Sequence, residues 1–296
     1  MNGLAVDGIL GSVKTPLRRA ETLSIVMPYR DRPLPPFEVA LKSLQHQTRK
    51  PYEVIIVDVA STEPYRSGME ALCEKYGAIY LYVPLDVPAK AVEVHLWNTC
   101  FNYGVRQATG DLVMYSGLDR VYEENMVECV IEYYNYCVEK FGKEAYFAGK
   151  VYNLYRTPEL SELGDFDALI EEATWRGGYA YWGSSREWVS KVHGLDESIR
   201  WYEDIDLTRR AKLDGGVVVW VSHGRIEEHL GKRSRVLHLA DHPTGRRAHG
   251  GSDVIKVARR GKLGLRENKA VVRNDENWGI VTDEKIQAAL RMVNSV

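Results

Sequence analysis

The sequence predicts an α/β fold with a mostly parallel central sheet flanked by helices. Short runs of β-branched and other apolar residues alternate with segments whose apolar positions recur at helical spacing, which indicates repeated βαβ units. Polar residues follow several of the predicted strands. In open sheets of this kind, ligands bind beyond the carboxyl ends of the strands. The 296 residues are enough for one large domain or two small ones with a sizeable core.

Four strands and three helices are predicted in the first half of the chain. The first strand, residues 23–27, is short and apolar and is predicted to stop at Pro28. The other elements are strands at 53–57, 79–83 and 112–115 and helices at 36–47, 67–76 and 98–107. Polar clusters follow three of these strands, at residues 29–31, at Asp58 with Ser61, and at residues 116–119. They predict a nucleotide-type site at one edge of the sheet.

The second half is less regular. A long apolar stripe predicts a core-packing helix at residues 123–141, followed by an extended segment at 145–155 and a polar, acidic connection at 156–177. Residues 177–183 are rich in glycine and aromatic residues. Helices are predicted at 187–192 and 204–213, and strands at 217–221 and 235–239.

Composition excludes several classes of protein. The net charge is −2, whereas a dedicated nucleic-acid binder usually shows a strong basic excess. No run of about 18 apolar residues exists, and the N-terminus lacks the pattern of a secretory signal. The four cysteines form no CxxC pair, which is typical of reduced, buried thiols. We therefore expect a cytoplasmic protein with neither a nucleic-acid partner nor a transmembrane segment.

An acidic pair, Glu203 and Asp204, is the strongest candidate for catalysis. The pair lies in the first turn of a predicted helix, where the helix dipole favours carboxylates. That position alone is also typical of ordinary helix starts. A carboxylate within hydrogen-bond reach is the simplest base for a hydroxyl that must lose a proton as it attacks. The flanking residues read VHGLDE at 192–197 and WYEDIDLTRR at 201–210.

These flanking residues resemble the family 2 glycosyltransferases and relatives with the nucleotide-sugar-binding GT-A fold, whose pattern is GG(F/L)DE followed by ED.(D/E)L..R. Further similarities are SIVMPYRDR at 24–32, LKSLQHQT at 41–48, VIIVDVAS at 54–61, and residues 102–111. The resemblance covers roughly residues 22–240. It departs from the family in two places: the metal motif Asp-x-Asp is reduced to Asp119, and the second Asp of VDDGS is replaced by Val59.

The resemblance implies a glycosyltransferase, of the hexosyltransferase type, that moves a sugar from a nucleotide-diphosphate sugar to a hydroxyl acceptor. Asp204 would be the general base of an inverting displacement, and Glu203 would bind acceptor or sugar hydroxyls. We expect a single GT-A-like domain at 21–245, with a nucleotide half at about 21–120 and an acceptor half at about 121–245. An N-terminal arm at 1–20 and a basic C-terminal loop and helical extension at 246–296 would complete the chain.

A divalent cation would offset the charge that grows on the diphosphate leaving group. Asp119 at a strand end supplies one oxygen ligand, and one carboxylate suffices for Mg²⁺, which keeps several waters. A histidine suits Mn²⁺ better. By resemblance His238 is the candidate metal ligand, with His242 as its competitor and a structural hydrogen-bonding role as the alternative for either.

Further residues are expected at the substrates by resemblance. Those expected at the nucleotide are Pro28, Tyr29, Arg30, Asp58, Asn102, Arg246 and Arg247, the last two as a clamp on phosphate oxygens. Those expected at the acceptor are Trp182, Gly183, Trp201 and Tyr202, since aromatic faces pack on sugars; core packing is the alternative for each aromatic side chain. Arg30 is expected at the nucleoside or a phosphate, or in a surface salt bridge with Asp58.

Several alternatives remain open at this stage. The reduced metal motif motivates a non-catalytic nucleotide-sugar- or carbohydrate-binding protein, and some GT-A relatives retain the anomeric configuration. A sugar nucleotidyltransferase would need a glycine-rich loop after the first strand, where this chain has prolines. UDP is the favoured nucleotide and GDP the other candidate. The acceptor is a glycan, a lipid-linked molecule or a protein, and the basic segment at 252–273 either contacts an anionic membrane surface or caps the domain.

Overall fold

A computed structural model describes residues 17–88, 91–92, 96–199, 203–221, 230–239 and 270–294. Most of the predicted N-terminal arm lies outside these residues. So do five candidate site residues: Trp201, Tyr202, His242, Arg246 and Arg247.

The first half of the chain alternates strands and helices as predicted. The strands are β1 (Leu23–Tyr29), β2 (Glu53–Val59), β3 (Ile79–Val83) and β4 (Leu112–Ser116). The helices are α1 (Pro35–Gln45), α2 (Tyr65–Tyr76) and α3 (Trp97–Gln107). Proline at the start of α1 fits a helix N-terminus, and Gly77 in the left-handed conformation ends α2.

The described residues of the second half form five more strands and five more α-helices. The strands are β5 (Arg120–Tyr122), β6 (Ala145–Leu154), β7 (Thr174–Ser185), β8 (Val217–Trp220) and β9 (Val236–Leu239). The helices are α4 (Met126–Phe141), α5 (Phe166–Glu172), α6 (Arg186–Lys191), α7 (Glu203–Leu213) and α8 (Asp283–Asn294), with a 3₁₀ turn at Leu160–Gly164.

The structure differs from the sequence-based assignment in three places. Strand β5 was not predicted, because three residues carry too little pattern to be recognised. The acidic connection at 156–177 contains the 3₁₀ turn, α5 and the start of β7. Strand β1 continues through Pro28 rather than stopping there. Strand β4 pairs with β1 only as far as Val26, so beyond that residue β1 is paired on one side only among the described strands. Pro28, which has no N–H to donate, lies in this part of β1.

All nine strands form one sheet in the order β3-β2-β1-β4-β7-β6-β9-β5, with β8 also paired to β6. The pairs β3–β2, β2–β1 and β1–β4 are parallel, as are β6–β8 and β6–β9, whereas β7 is antiparallel to both its neighbours. This mixed but mostly parallel sheet is flanked by helices, as the sequence predicts. The carboxyl ends of β1, β2, β4 and β6 therefore meet at one edge.

Apolar side chains cover both faces of the sheet. One core contains side chains of α1, α2 and α4, and the other contains side chains of α3, α6, α7 and α8. The four cysteines are buried free thiols, as expected from their scattered spacing. Among the helices of the described segments, none combines the length and apolarity required to cross a membrane.

Candidate active site

The loops after β1 and β2 are held together by hydrogen bonds at the carboxyl edge of the sheet. The amide N–H of Asp31 donates to the Ser61 hydroxyl over 3.0 Å, and the Asp31 carboxylate accepts the N–H of Thr62 over 2.6 Å. Asp31 and Ala60 adopt φ angles of 41° and 54°, in the left-handed region that non-glycine residues rarely occupy. Strained residues of this kind concentrate at ligand-binding sites.

Arg30 bridges the ends of two chain segments at this edge. Its guanidinium donates to the carbonyl of Val59 over 3.0 Å and to that of Val87 over 3.4 Å. Its Nε–H is buried without a hydrogen-bond partner among the described residues, and its nearest carboxylate oxygen, on Asp31, is 3.7 Å away. The alternative of a salt bridge with Asp58 is not observed, since Arg30 turns to carbonyls instead.

Three other residues expected at the nucleotide are buried inside the protein. Pro28 lies within β1, and Tyr29 is fully buried with its ring edge-on to Phe37 at 5.2 Å. Asp58 is fully buried as well; its carboxylate accepts the N–H of Ser61 over 2.9 Å and the hydroxyl of Tyr80 over 2.6 Å. These side chains support the loops of the edge, and their contact with a nucleotide stays a prediction.

Asn102, also expected at the nucleotide, forms internal hydrogen bonds in this structure. Its side-chain amide donates to the carbonyl of Leu195 over 2.8 Å and to Glu197 over 2.9 Å. Its carbonyl oxygen accepts the N–H of Leu195 over 2.8 Å, and the residue is fully buried. Asn102 therefore fastens α3 to the segment that precedes α7.

Asp119 lies at the centre of a charged cluster. Its Oδ1 accepts a hydrogen bond from Arg120 over 2.5 Å, and its Oδ2 lies 3.3 Å from the guanidinium of Arg32 and 3.4 Å from Nε2 of His238. Burial acts to raise the pKa of Asp119, but Arg120, His238 and Arg32 outweigh it and hold the pKa well below its usual value. Loops after β1 and β4 and strand β9 thus converge on one carboxylate.

His238 is positioned by the sheet. It pairs with Arg120 on β5 on one side and with Asn153 on β6 on the other. Its Nδ1 lies 3.0 Å from Oδ1 of Asn153, and its Nε2 faces Asp119. The sequence-predicted pair of Asp119 and His238 is therefore brought together, although the two residues are 119 positions apart.

The donor set of this cluster fits a divalent cation. A carboxylate oxygen and an imidazole nitrogen within 3.4 Å of each other are the types of ligand that Mn²⁺ accepts. A third His, Cys, Asp or Glu does not join them within the described segments. Diphosphate oxygens and water are the ligands that complete a Mg²⁺ or Mn²⁺ shell at sites with few protein carboxylates.

Asp204 lies in the first turn of α7, as the sequence predicts, together with Glu203. Burial raises the pKa of Asp204 to about 6, and it outweighs the opposite effect of the Ile205 N–H, which donates to Oδ1 of Asp204 over 2.7 Å. A carboxylate with a pKa near the working pH is suited to take up a proton.

Strand β7 links the start of α7 to the edge where Asp119 lies. Tyr181 on β7 pairs with Ser116 at the end of β4. Two residues earlier, the hydroxyl of Tyr179 lies 3.4 Å from that of Thr208, which donates to the carbonyl of Asp204 over 2.7 Å. Tyr146 donates to the same carbonyl over 3.1 Å.

Trp182 and Gly183, which are expected at the acceptor, lie at closely packed positions of β7. The Trp182 side chain is only 8% exposed and stacks on Tyr115 with ring centroids 6.3 Å apart, so it belongs to the core. A Cβ at Gly183 would lie 2.0 Å from the carbonyl oxygen of Val113 and 2.6 Å from the ring of Phe147. Glycine at this position permits close packing of β7 between its neighbours.

Gly183→Ala is therefore expected to destabilise the fold rather than to alter substrate affinity alone. The backbone oxygen of Val113 cannot move away cheaply, so we expect a loss of about 1–3 kcal/mol or more in the free energy of unfolding. Urea denaturation measures it. Gly164→Ala is the matched control, because a Cβ there meets nothing within 4 Å. Unchanged stability in Gly183→Ala together with a raised KM would instead restore the substrate role.

Two groups of residues in this site were not predicted from the sequence. Arg32, Arg120 and Asn153 surround the Asp119–His238 pair, but only Arg32 stood inside a quoted motif. The second group is a buried ion network that holds α7 through Asp206. Arg210 contacts Asp206 over 2.8 Å, and Arg273 contacts Asp206 over 2.7 Å.

Comparison with known proteins agrees with this architecture. Residues 24–137 match the family model described as Glycosyl transferase family 2. A search of curated proteins finds no match. Among solved structures, TarS of S. aureus superposes with a TM-score of 0.52 at 12% identity, over 93% of this chain and 43% of that chain, so the present chain spans less than half of that protein.

Two further structures are similar. Residues 1–349 of S. aureus TarS in complex with UDP give a TM-score of 0.51 at 13% identity, over 93% of this chain and 72% of that one. The mannosyltransferase PcManGT from Pyrobaculum calidifontis, in complex with GDP-Man and Mn²⁺, gives 0.50 at 14% identity, over 95% and 77%. At these identities the likeness concerns the fold. Together, the two comparisons show a fold of the GT-A type in which residues 24–137 match the family 2 glycosyltransferase model.

Proposed function

We infer that the protein transfers a hexose from a nucleotide-diphosphate sugar to a hydroxyl acceptor with inversion of the anomeric centre, using Asp204 as general base and a divalent cation at Asp119 and His238. The observation that carries this proposal is the environment of Asp204. It is a partly buried carboxylate in the first turn of α7, and burial raises its pKa to about 6.

Burial is what adapts Asp204 to this role. An ordinary aspartate, with a pKa near 3.9, is too weak a base to compete effectively for the proton of a sugar hydroxyl. Above a pH of about 6 the Asp204 carboxylate is ionised and accepts that proton as the hydroxyl oxygen attacks the anomeric carbon. Attack from the side opposite the leaving nucleotide diphosphate inverts the configuration. Glu203, in the same turn, is proposed to bind hydroxyls of the acceptor or the sugar.

The charged cluster around Asp119 is proposed to receive the diphosphate. Arg32 and Arg120 bring two positive charges to one carboxylate, so the cluster is suited to phosphate oxygens. A Mn²⁺ or Mg²⁺ ion held by Asp119 and His238 would offset the charge of the leaving group when bound. The arginines hold and orient the diphosphate beside it. UDP is the proposed nucleotide and GDP the second candidate.

The test is a transfer and hydrolysis assay with UDP-, GDP- and dTDP-sugars, with Mn²⁺, with Mg²⁺ and with EDTA. We expect turnover of one nucleotide class, restored by metal after chelation, and a product with the anomeric configuration opposite to that of the donor. Retained configuration, measured by NMR of the product, would contradict the single displacement at Asp204. Binding of the nucleotide sugar without turnover in any condition would favour a non-catalytic protein.

A further inference from the structure

Asn153 is a buried polar residue that the proposed reaction does not use. It lies on β6, directly beside His238 on β9, and is 1% exposed. Its Oδ1 lies 3.0 Å from Nδ1 of His238, while its Nδ2 has no hydrogen-bond partner among the described residues. A buried N–H without a partner costs free energy, which an apolar side chain of similar size would avoid. The presence of an asparagine at this position is therefore explained by the hydrogen bond that its side-chain oxygen accepts.

That oxygen determines which imidazole nitrogen carries the proton. An amide oxygen only accepts hydrogen bonds, so Nδ1 of His238 must carry the hydrogen. In the neutral ring Nε2 then presents a lone pair, and this lone pair faces Oδ2 of Asp119 at 3.4 Å. Two acceptor atoms directed at each other repel, unless a proton on Nε2 or a metal cation lies between them.

We propose that Asn153 is a positioning residue that fixes His238 as the Nδ1–H tautomer and so presents Nε2, with Oδ2 of Asp119, to a divalent cation. The inference rests on the metal site of the proposed function and adds a residue to it. Histidines that bind metals generally donate their other ring N–H to an oxygen, which orients the ring and strengthens the ligand. Here the side-chain carbonyl of Asn153 is that oxygen.

The first test uses the wild-type protein without metal and needs no variant. Long-range ¹H–¹⁵N NMR of the histidine-labelled protein at pH 8 distinguishes the two neutral tautomers and the doubly protonated ring. We expect His238, assigned by its loss in His238→Ala, to show a protonated Nδ1, whether or not Nε2 shares a second proton with Asp119. The opposite neutral tautomer, with Nδ1 unprotonated, would mean that Asn153 donates through Nδ2, and it would overturn the proposal.

The second test measures Mn²⁺ affinity by EPR in the presence of UDP and in its absence. Asn153→Asp keeps the accepting oxygen and is expected to bind Mn²⁺ at least as tightly as wild type. Asn153→Leu removes it and is expected to bind roughly 10- to 100-fold more weakly. A thermal melt of each variant separates this loss from unfolding.

Each outcome of the affinity measurement decides one question. Wild-type affinity in Asn153→Leu, or equal losses in the Asp and Leu variants, would overturn the positioning role. Wild-type affinity in His238→Ala would overturn the metal site itself. Failure of the wider proposal is recognised separately, because Mn²⁺ binding and tautomer are measured without a sugar donor, whereas absence of transfer appears only in the assay above.

Discussion

Asp204→Asn is expected to lower kcat by about 10²- to 10⁴-fold, which is the usual contribution of a general base. The amide keeps the shape of the side chain and still accepts the N–H of Ile205, but it cannot take up a proton. Binding of UDP, measured by calorimetry, should remain within about threefold of wild type, since the reaction base does not hold the nucleotide. Undiminished kcat in this variant would exclude Asp204 as the base.

The same substitution separates catalysis from stability. The pKa of Asp204 is about 6 in the folded protein, against 3.8 for an ordinary aspartate. The folded protein therefore holds this proton more tightly than the unfolded chain does. The stability gained in this way is complete below pH 3.8 and is lost as the pH rises through 6. Above pH 6 the wild type therefore carries a cost of about 2–3 kcal/mol at 1.36 kcal/mol per pKa unit. Asp204→Asn should accordingly unfold at higher urea concentration than wild type at pH 7.5, while the difference vanishes near pH 4.

The wild-type pH profile follows from the same pKa. Because the base acts in its ionised form, kcat/KM should rise as the pH increases through about 6 and then level off. Asp283→Asn is the matched control: this acid also lies in the first turn of a helix, α8, but is exposed. It should change neither activity nor its pH dependence. A stability loss in Asp204→Asn at pH 7.5 would show that the carboxylate has a structural role instead.

Arg210→Met should destabilise the fold by about 3–5 kcal/mol, because it removes one member of a buried ion network. The Arg210 side chain is fully buried; it contacts Asp206 over 2.8 Å and donates to the carbonyls of Val192 and Gly194 over 3.1 and 2.7 Å. Arg273 completes the network with Asp206 and Asp196. Methionine fills a similar volume, but it leaves an uncompensated negative charge and two carbonyls without their donor.

Urea denaturation followed by circular dichroism measures this loss. Lys212→Ala is the control, since Lys212 is exposed on the same helix, and its effect should stay within about 0.5 kcal/mol. Combining Arg210→Met with Asp206→Leu restores charge balance and should recover part of the stability. If the double variant is less stable than the sum of the two single losses, charge balance is not what the network provides.

The network also explains how α7 is held. Asp206 lies two residues after Asp204, and its partners are Arg210 on the same helix and Arg273 from the C-terminal part of the chain. Arg210 in turn donates to the carbonyl of Gly194, in the segment before α7. Asn274, next to Arg273, donates to the carbonyls of His193 and Leu195 over 2.6 Å each. The described part of the C-terminal region, residues 270–294, thus braces the segment that leads into the candidate base.

Most strands and helices could be predicted because their patterns are local. A run such as Val54–Val57 is apolar at every position, which predicts a strand buried on both faces. The apolar residues of 123–141 recur at helical spacing, which predicts a helix buried on one face. The Glu203–Asp204 pair could be found for the same reason, since helix-start residues and motif spacing are properties of adjacent residues.

The surroundings of these residues were decided by the tertiary structure. Whether Trp182 faces a sugar or the core depends on which strands flank β7, and Gly183 is required by a carbonyl from a strand 70 residues away in the chain. The pKa of Asp204 depends on burial, which packing alone establishes. The contacts of His238 with Asn153 and Asp119 depend on the register of β9 between β5 and β6.

The sequence by itself determined the fold class, the family resemblance and the identities of the candidate base and metal ligands. These properties rest on local periodicity and on short motifs, which neighbouring residues specify. The tertiary structure alone decided which polar residues form internal hydrogen bonds and which carboxylates have a raised or a lowered pKa. It also decided which side chains surround Asp119 and His238. Distances, burial and charge between distant segments exist only once the strands have paired, and these quantities set the chemistry of a site.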